Sequence, residues 1–183
     1  MHTKLSILTG SFDPITFGHL SILDRVVSQS VSSNEFFQIA ISQNSQKQYM
    51  FSGQERVEMV REMIQASPFA SLKNNLWRID VVDLTGHSDD QPLCQHYANV
   101  AKDGQIVPVF VRGIRNALDF EYERKIDTFN RAGGVNSIFI LAEEEFVNCS
   151  SSAIKQRIIA GEEFSTMQNL ISQELYNKIK ERV

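Results

Sequence analysis

Four short segments carry the residue types that phosphate chemistry needs. The first reads Gly10-Ser11-Phe12-Asp13-Pro14-Ile15-Thr16-Phe17-Gly18-His19 and leads into a helical pattern. Gly10 lets the chain turn without a Cβ clash, and Gly18 is expected to let an anion approach the backbone. His19 falls in the first helical turn, where free amides and the positive dipole end favour negative charge. The second segment is Lys47-Gln48-Tyr49-Met50-Phe51. The third, Arg112-Gly113-Ile114-Arg115, continues to Asp119-Phe120-Glu121-Tyr122-Glu123 and sets two permanently charged forks either side of a glycine. The fourth, Asn148-Cys149-Ser150-Ser151-Ser152-Ala153-Ile154-Lys155, brings hydroxyls and helix-start amides to one place. Two readings of Arg112 and Arg115 stand open: phosphate ligands, or ion-pair partners of Asp119 and Glu123. Lys47 taken alone reads more readily as a solvated surface lysine than as a ligand.

These segments need a scaffold that brings them together. Strand-like apolar runs lie at 5–8, 35–42, 76–82, 107–111 and 137–141, with helical stripes between them. The stripes are Leu20, Leu23, Val26 and Val27; Val57, Val60 and Ile64; Leu118, Tyr122, Ile126 and Phe129; Ile154 and Ile158; and Leu175 with Ile179. All are expected to face the core. Ser52-x-x-Glu55 reads as a capping box, and Gly161 as a helix stop. Alternation of this kind predicts an α/β fold: a single Rossmann-like, open, parallel five-stranded sheet with helices on both faces. One domain over 1–183 is expected, with C-terminal helices from about 151. Pro108 sits awkwardly in a strand otherwise apolar enough for a sheet centre. Each chemical segment follows a strand, where ligands of such sheets bind. The stretch 85–91 is the most loop-like and acidic.

Composition narrows the classes. With 42% hydrophobic and 22% charged residues the chain is a folded globular one, and its net charge of −4 disfavours nucleic-acid binding. No apolar run nears the roughly 18 residues of a membrane span. Cys94 and Cys149 form no metal or redox spacing, and no signal-peptide pattern opens the sequence, so a cytoplasmic protein is expected. His87 is expected to be solvated and His96 to be structural, with no side-chain metal site.

Neither G-x-G-x-x-G nor the P-loop pattern occurs. Thr16-Phe17-Gly18-His19 instead resembles the T-x-G-H signature of the nucleotidyltransferase superfamily. With Gly10 to Thr16 upstream, Lys47 before Met50-Phe51, Arg112-Gly113-Ile114-Arg115 before Asp119 to Glu123, and the serines at 150–152, the chain resembles the bacterial phosphopantetheine adenylyltransferases. That resemblance implies transfer of AMP from ATP to 4′-phosphopantetheine, with Mg2+ carried by ATP and a homo-oligomer, a hexamer. It implies that Ser11 and Phe12 contact ATP, that Ser11 also meets the acceptor phosphate, and that His19 stabilises the transition state. Lys47 and Arg112 would bind the acceptor phosphate. Gly113, Ile114, Arg115 and Glu123 would line the nucleotide site. Phe146, Val147, Asn148, Cys149, Ser150, Ser151 and Ser152 would hold adenine and the outer phosphates, and Cys94 would lie by the pantetheine arm. Ser11 stands where the family usually has threonine, Thr9 where it has proline, and Asn148-Cys149 where it has a more apolar pair. The same chemistry on nicotinate mononucleotide or glycerol 3-phosphate, and a noncatalytic nucleotide-binding module, are the competing readings.

Overall fold

The computed structural model describes residues 2–87 and 92–183. Five strands form one parallel sheet: β1 (Thr3–Gly10), β2 (Glu35–Ile41), β3 (Ile79–Asp83), β4 (Ile106–Ile114) and β5 (Asn136–Leu141), in the order β3-β2-β1-β4-β5. The helices are α1 (Phe17–Ser28), α2 (Gly53–Ala66), α3 (Ala70–Asn74), α4 (Leu93–Val100), α5 (Ala117–Ala132), α6 (Ser151–Ile159) and α7 (Gln173–Lys180). Right-handed crossovers put α1 and α2 on one face as the chain steps from β1 to β3. The same rule puts α4 and α5 on the other as it returns past β1 to β4 and β5.

Strand parity divides the core between the two faces. Leu8, Phe37, Ile39 and Val111 enter the larger cluster under α1 and α2, while Ile7, Ala40 and Phe110 enter a smaller one with Cys94 and Tyr97 of α4. Leu170, Ile171, Leu175 and Ile179 join the larger cluster, so the C-terminal helices pack on the same core as the sheet. Pro108 pairs with Leu5 of β1, whereas the ladder to β5 starts only at Val109. The missing N–H therefore falls at the end of β4 that β1 alone flanks.

Three expectations change. Residues 76–78 form a 3-10 turn and β3 begins at Ile79. The turn seats the buried Arg78 so that its guanidinium donates to Glu35 O, Ser32 O and Ser30 Oγ, each at 2.7 Å. The stripe Leu118, Tyr122 and Phe129 faces solvent, not the core; these side chains are 82%, 63% and 58% exposed. The inward face of α5 instead presents Asp127 and Asn130, both buried, with Glu123 reaching Arg112. Finally, His87 is not solvated alone: its Nε2 lies 2.8 Å from Nδ1 of His96. Of the loop expected at 85–91, residues 85–87 form a turn and 88–91 lie outside the described residues. Among the described residues no helix is long and apolar enough to cross a membrane.

Candidate active site

Strand order reverses between β1 and β4, and the crevice at their carboxyl ends is where ligands of such sheets bind. A cleft of about 610 Å3 opens there. Its walls are residues 9–13, the start of α1, Lys47 to Tyr49, the end of β4, the first turns of α5 and the segment from Phe146 to Lys155.

Thr16 caps α1 and fixes the histidine. Its side chain accepts the His19 N–H at 3.4 Å, and its own N–H donates to His19 Nδ1 at 3.1 Å, a capping box with histidine in the acidic residue's place. An amide can only donate, so Nδ1 is unprotonated and the ring carries its hydrogen on Nε2. Burial, and then the positive charge of Arg115, lower the His19 pKa to about 4. At neutral pH the cleft therefore holds a neutral imidazole with one N–H to give.

This has a measurable consequence. The unfolded chain takes up the His19 proton near pH 6.5, the folded chain only near 4, so the stabilising contribution is whole above 6.5 and is lost as pH falls from 6.5 towards 4. The His19 ring resonance should titrate with a midpoint well below 6.5 and show the Nε2–H tautomer. An ordinary midpoint near 6.5 would remove the burial argument.

The two arginines are both ion-paired and in the cleft, so the alternatives left open by the sequence are not exclusive. Strand β4 runs to Ile114, which places Arg112 and Gly113 within the strand, not after it, and Arg115 just beyond. Arg112 donates from Nε and Nη2 to both carboxylate oxygens of Glu123, at 2.6 and 2.8 Å, and from Nη1 to Thr9 Oγ1 at 2.5 Å. Arg115 grips Asp119 at 2.7 and 3.2 Å, and hydrogen bonding to Arg115 holds the Asp119 carboxyl below its usual range. Each fork is thus aimed before any anion arrives. Lys47 is exposed on the opposite rim.

The serine segment works differently from expectation. Ser150 Oγ caps α6 through the Ala153 N–H at 3.1 Å, and Ser151 donates to Pro14 O at 2.7 Å. This leaves the amides of the helix start and the exposed Ser152 for an anion. Phe146 and Cys149 line the cleft; Val147, Asn148 and Ile114 do not. A Cβ on Gly18 would lie 3.2 Å from the Cβ atoms of both Phe146 and Cys149, so its bareness lets this segment close on α1, beyond any role in admitting a phosphate. Burial pushes the Cys149 thiol pKa up, which keeps it protonated and inert. Cys94 is outside the cleft's lining. Its side chain packs in the smaller cluster, and a Cβ on Gly133 would lie 2.7 Å from its sulfur.

Sequence reasoning passed over three supports. Asp13, buried, accepts Lys155 Nζ at 2.6 Å and the amides of Met50 and Phe51 at 3.0 Å each, tying the first segment to the second and fourth. An acid in an otherwise apolar turn was the available signal. Thr16 was legible from its spacing to His19, three residues on. Arg56 sits beneath the cleft with 1% exposure. After Ser11 the chain turns at Phe12, φ 47°, and the Asp13–Pro14 peptide is cis. Gly10 supplies not the left-handed turn but room: a Cβ there would meet the Phe12 ring at 2.9 Å. Among the described residues no group of three His, Cys, Asp or Glu could hold a metal ion. The cleft carboxylates Asp13, Asp119 and Glu123 are each paired with a basic side chain.

The family described as cytidylyltransferase-like matches residues 7–157. The phosphopantetheine adenylyltransferase of Haemophilus influenzae (strain PittEE) is 33% identical over 180 residues, 96% of this chain and 97% of that protein. The enzyme of the same name from Proteus mirabilis (strain HI4320) is 34% identical over 152 residues, 82% of this chain and 80% of its own. Among solved structures, the Plasmodium falciparum nicotinic acid mononucleotide adenylyltransferase complexed with NaAD aligns with a TM-score of 0.69 at 17% identity, covering 97% of this chain and 94% of that one. At that identity the likeness shows the shared fold alone.

Proposed function

From the premise that the chain belongs to the cytidylyltransferase-like family, and within it to the phosphopantetheine adenylyltransferases, we propose that its cleft transfers AMP from ATP to 4′-phosphopantetheine, giving dephospho-coenzyme A and pyrophosphate. The observation that carries the reading is the neutral, tautomer-locked His19 in a cleft whose other walls bring Lys47, Arg112 and Arg115. A phosphate monoester is already anionic near pH 7 and needs no base to attack. The barrier lies in bringing anions together and in stabilising charge as pyrophosphate leaves. In-line attack at the α-phosphorus, with His19 donating through Nε2 to the crowded α-phosphate, answers both needs without a covalent intermediate.

The roles divide by wall. Ser11, Lys47 and Arg112 hold the acceptor phosphate. Arg115 and the start of α6 hold the triphosphate, with Phe146 and Cys149 against the adenine. Mg2+ enters as part of the MgATP substrate, a choice that fits a cleft whose carboxylates are already paired. An acceptor panel with MgATP and pyrophosphate detection tests the reading. Phosphopantetheine should be used far better than pantetheine, and comparable turnover of nicotinate mononucleotide would overturn the acceptor assignment.

The solvent-facing Leu118 and Phe129 of α5 support a homo-oligomer, which the family resemblance makes a hexamer. Light scattering should give one species of several subunits, and Phe129→Glu should yield smaller ones. A wild-type monomer at micromolar concentration would reject this. The stretch 1–183 acts in this reading as one catalytic domain, and the cytoplasm is its compartment.

A further inference from the structure

Among the described residues Arg56 is the largest fully buried side chain, and it has no carboxylate partner. A buried guanidinium is costly unless its N–H groups are satisfied, and here backbone carbonyls take three hydrogen bonds from it. Nη1 donates to Ser11 O at 2.8 Å and to Ser42 O at 3.3 Å, and Nε donates to Ser52 O at 3.3 Å. The flat face lies 4.4 Å from the Tyr49 ring centre. One side chain therefore ties the turn after β1, the end of β2 and the start of α2 together, and supports the ring that closes the loop carrying Lys47. That loop is otherwise held by Tyr49, whose hydroxyl accepts the Asn44 N–H at 2.7 Å, and by the Lys47 N–H bonding to Asn44 O at 2.9 Å.

The Ser11 contact has a stereochemical effect. In a trans peptide the C=O and the following N–H point in opposite directions. With the Ser11 carbonyl drawn down to Arg56, the Phe12 N–H faces away from it, and no partner for that N–H is found among the described residues. The left-handed Phe12 conformation, φ 47°, is held at the same point.

We propose that Arg56 is a positioning residue for the acceptor-phosphate half of the cleft, fixing both the Ser11–Phe12 peptide and the Lys47 loop without touching substrate. This rests on the function proposed above. It goes beyond it in assigning a cleft geometry to a side chain that contributes no atom to the cleft's lining. Geometry, not charge, carries the role: the three donors of a lysine radiate from one compact ammonium, which cannot span three separated carbonyls while lying flat under a ring.

The test uses Arg56→Lys and Arg56→Ala, each with a thermal melt, steady-state kinetics and a MgATP titration. For Arg56→Lys, kcat/KM for phosphopantetheine should fall roughly 30- to 100-fold, the effect of groups misplaced by about an ångström, with most of it in KM. MgATP affinity should stay within about threefold, since Arg115 and the α6 amides are untouched. Ethylguanidinium should restore part of the activity of Arg56→Ala, and ammonium at the same concentration should not. Full activity in Arg56→Lys overturns the proposal. So does an equal loss of MgATP and acceptor affinity, and so does the absence of a cooperative melt above the assay temperature in both variants, which would assign Arg56 to stability alone. A wild-type protein that transfers nothing to phosphopantetheine sinks the function itself and is distinguishable from all of these.

Discussion

Replacing His19 with alanine is expected to lower turnover by roughly 100- to 1,000-fold, the usual loss when one donor to developing negative charge is removed. MgATP affinity should change much less, because Arg115 and the amides opening α6 remain. The capping box adds a second, smaller effect: Nδ1 accepts the Thr16 N–H, so alanine should also cost about 1 kcal/mol of stability. Two further variants separate these jobs. In His19→Asn the amide oxygen can stand in for Nδ1 and keep the cap, while its NH2 falls short of the Nε2 position from which the imidazole donates; it should melt near wild type and be nearly inactive. His19→Gln reaches the Nε2 position with a donor but abandons the cap, and should keep more turnover on a less stable fold. Turnover of the alanine variant within a few-fold of wild type would falsify the catalytic role.

Asp13→Ala should be among the most destabilising single changes in the protein. The carboxylate is 5% exposed and receives Lys155 Nζ and two amides, so removing it strands an ammonium and two N–H groups at once. Breaking a buried pair costs about 3–5 kcal/mol, and partial solvent contact of Lys155, 21% exposed, puts the expected loss near about 3 kcal/mol. For a chain of this size that is roughly 6–12 °C in Tm. The double variant Asp13→Ala with Lys155→Met should recover part of the loss, because it no longer leaves a charge without a partner. A single-variant loss under about 1 kcal/mol would show that the three contacts are replaced by water.

The parallel sheet was legible because buried strands are apolar on both faces and because periodic helices separate them. Leu20, Leu23, Val57 and Val60 lie where their spacing put them. The α5 stripe was misassigned for a reason that spacing cannot reveal. Apolar periodicity says that a face is covered, not that its own chain covers it, and on α5 the sheet-side positions belong to the polar Glu123, Asp127 and Asn130. The 3-10 turn at 76–78 was hidden because Leu76 and Trp77 look like strand residues, while the hydrogen bonds of Arg78 that set the turn reach residues some 43 to 48 positions away. Within the site, local motifs read well: Thr16 to His19 is a helix start that also sets a tautomer. Arg56 and Lys155 did not read at all as functional, since a lone cation in a helix gains meaning only from carbonyls or a carboxylate that distant segments bring to it.

The central position of β1 has a bearing on how the protein comes into being during synthesis. Of the five strands β1 leaves the ribosome before the others, yet one of its two neighbours, β4, follows much later, and the hydrogen bond from Arg112 to Thr9 closes a separation of 103 residues. Until β4 docks, the first-made turn has its histidine but no opposite wall, and α6 still lacks the Pro14 carbonyl that Ser151 will reach across 137 residues. A nascent chain ending before about residue 155 should therefore be blind to nucleotide even with its N-terminal strand–helix pair in place. Long-range pairing of this kind is slow because distant ends must meet before any contact repays the lost freedom. Nucleotide capture would then mark the completion of folding: ATP, binding only the finished arrangement, would draw late intermediates forward and shield them from proteolysis.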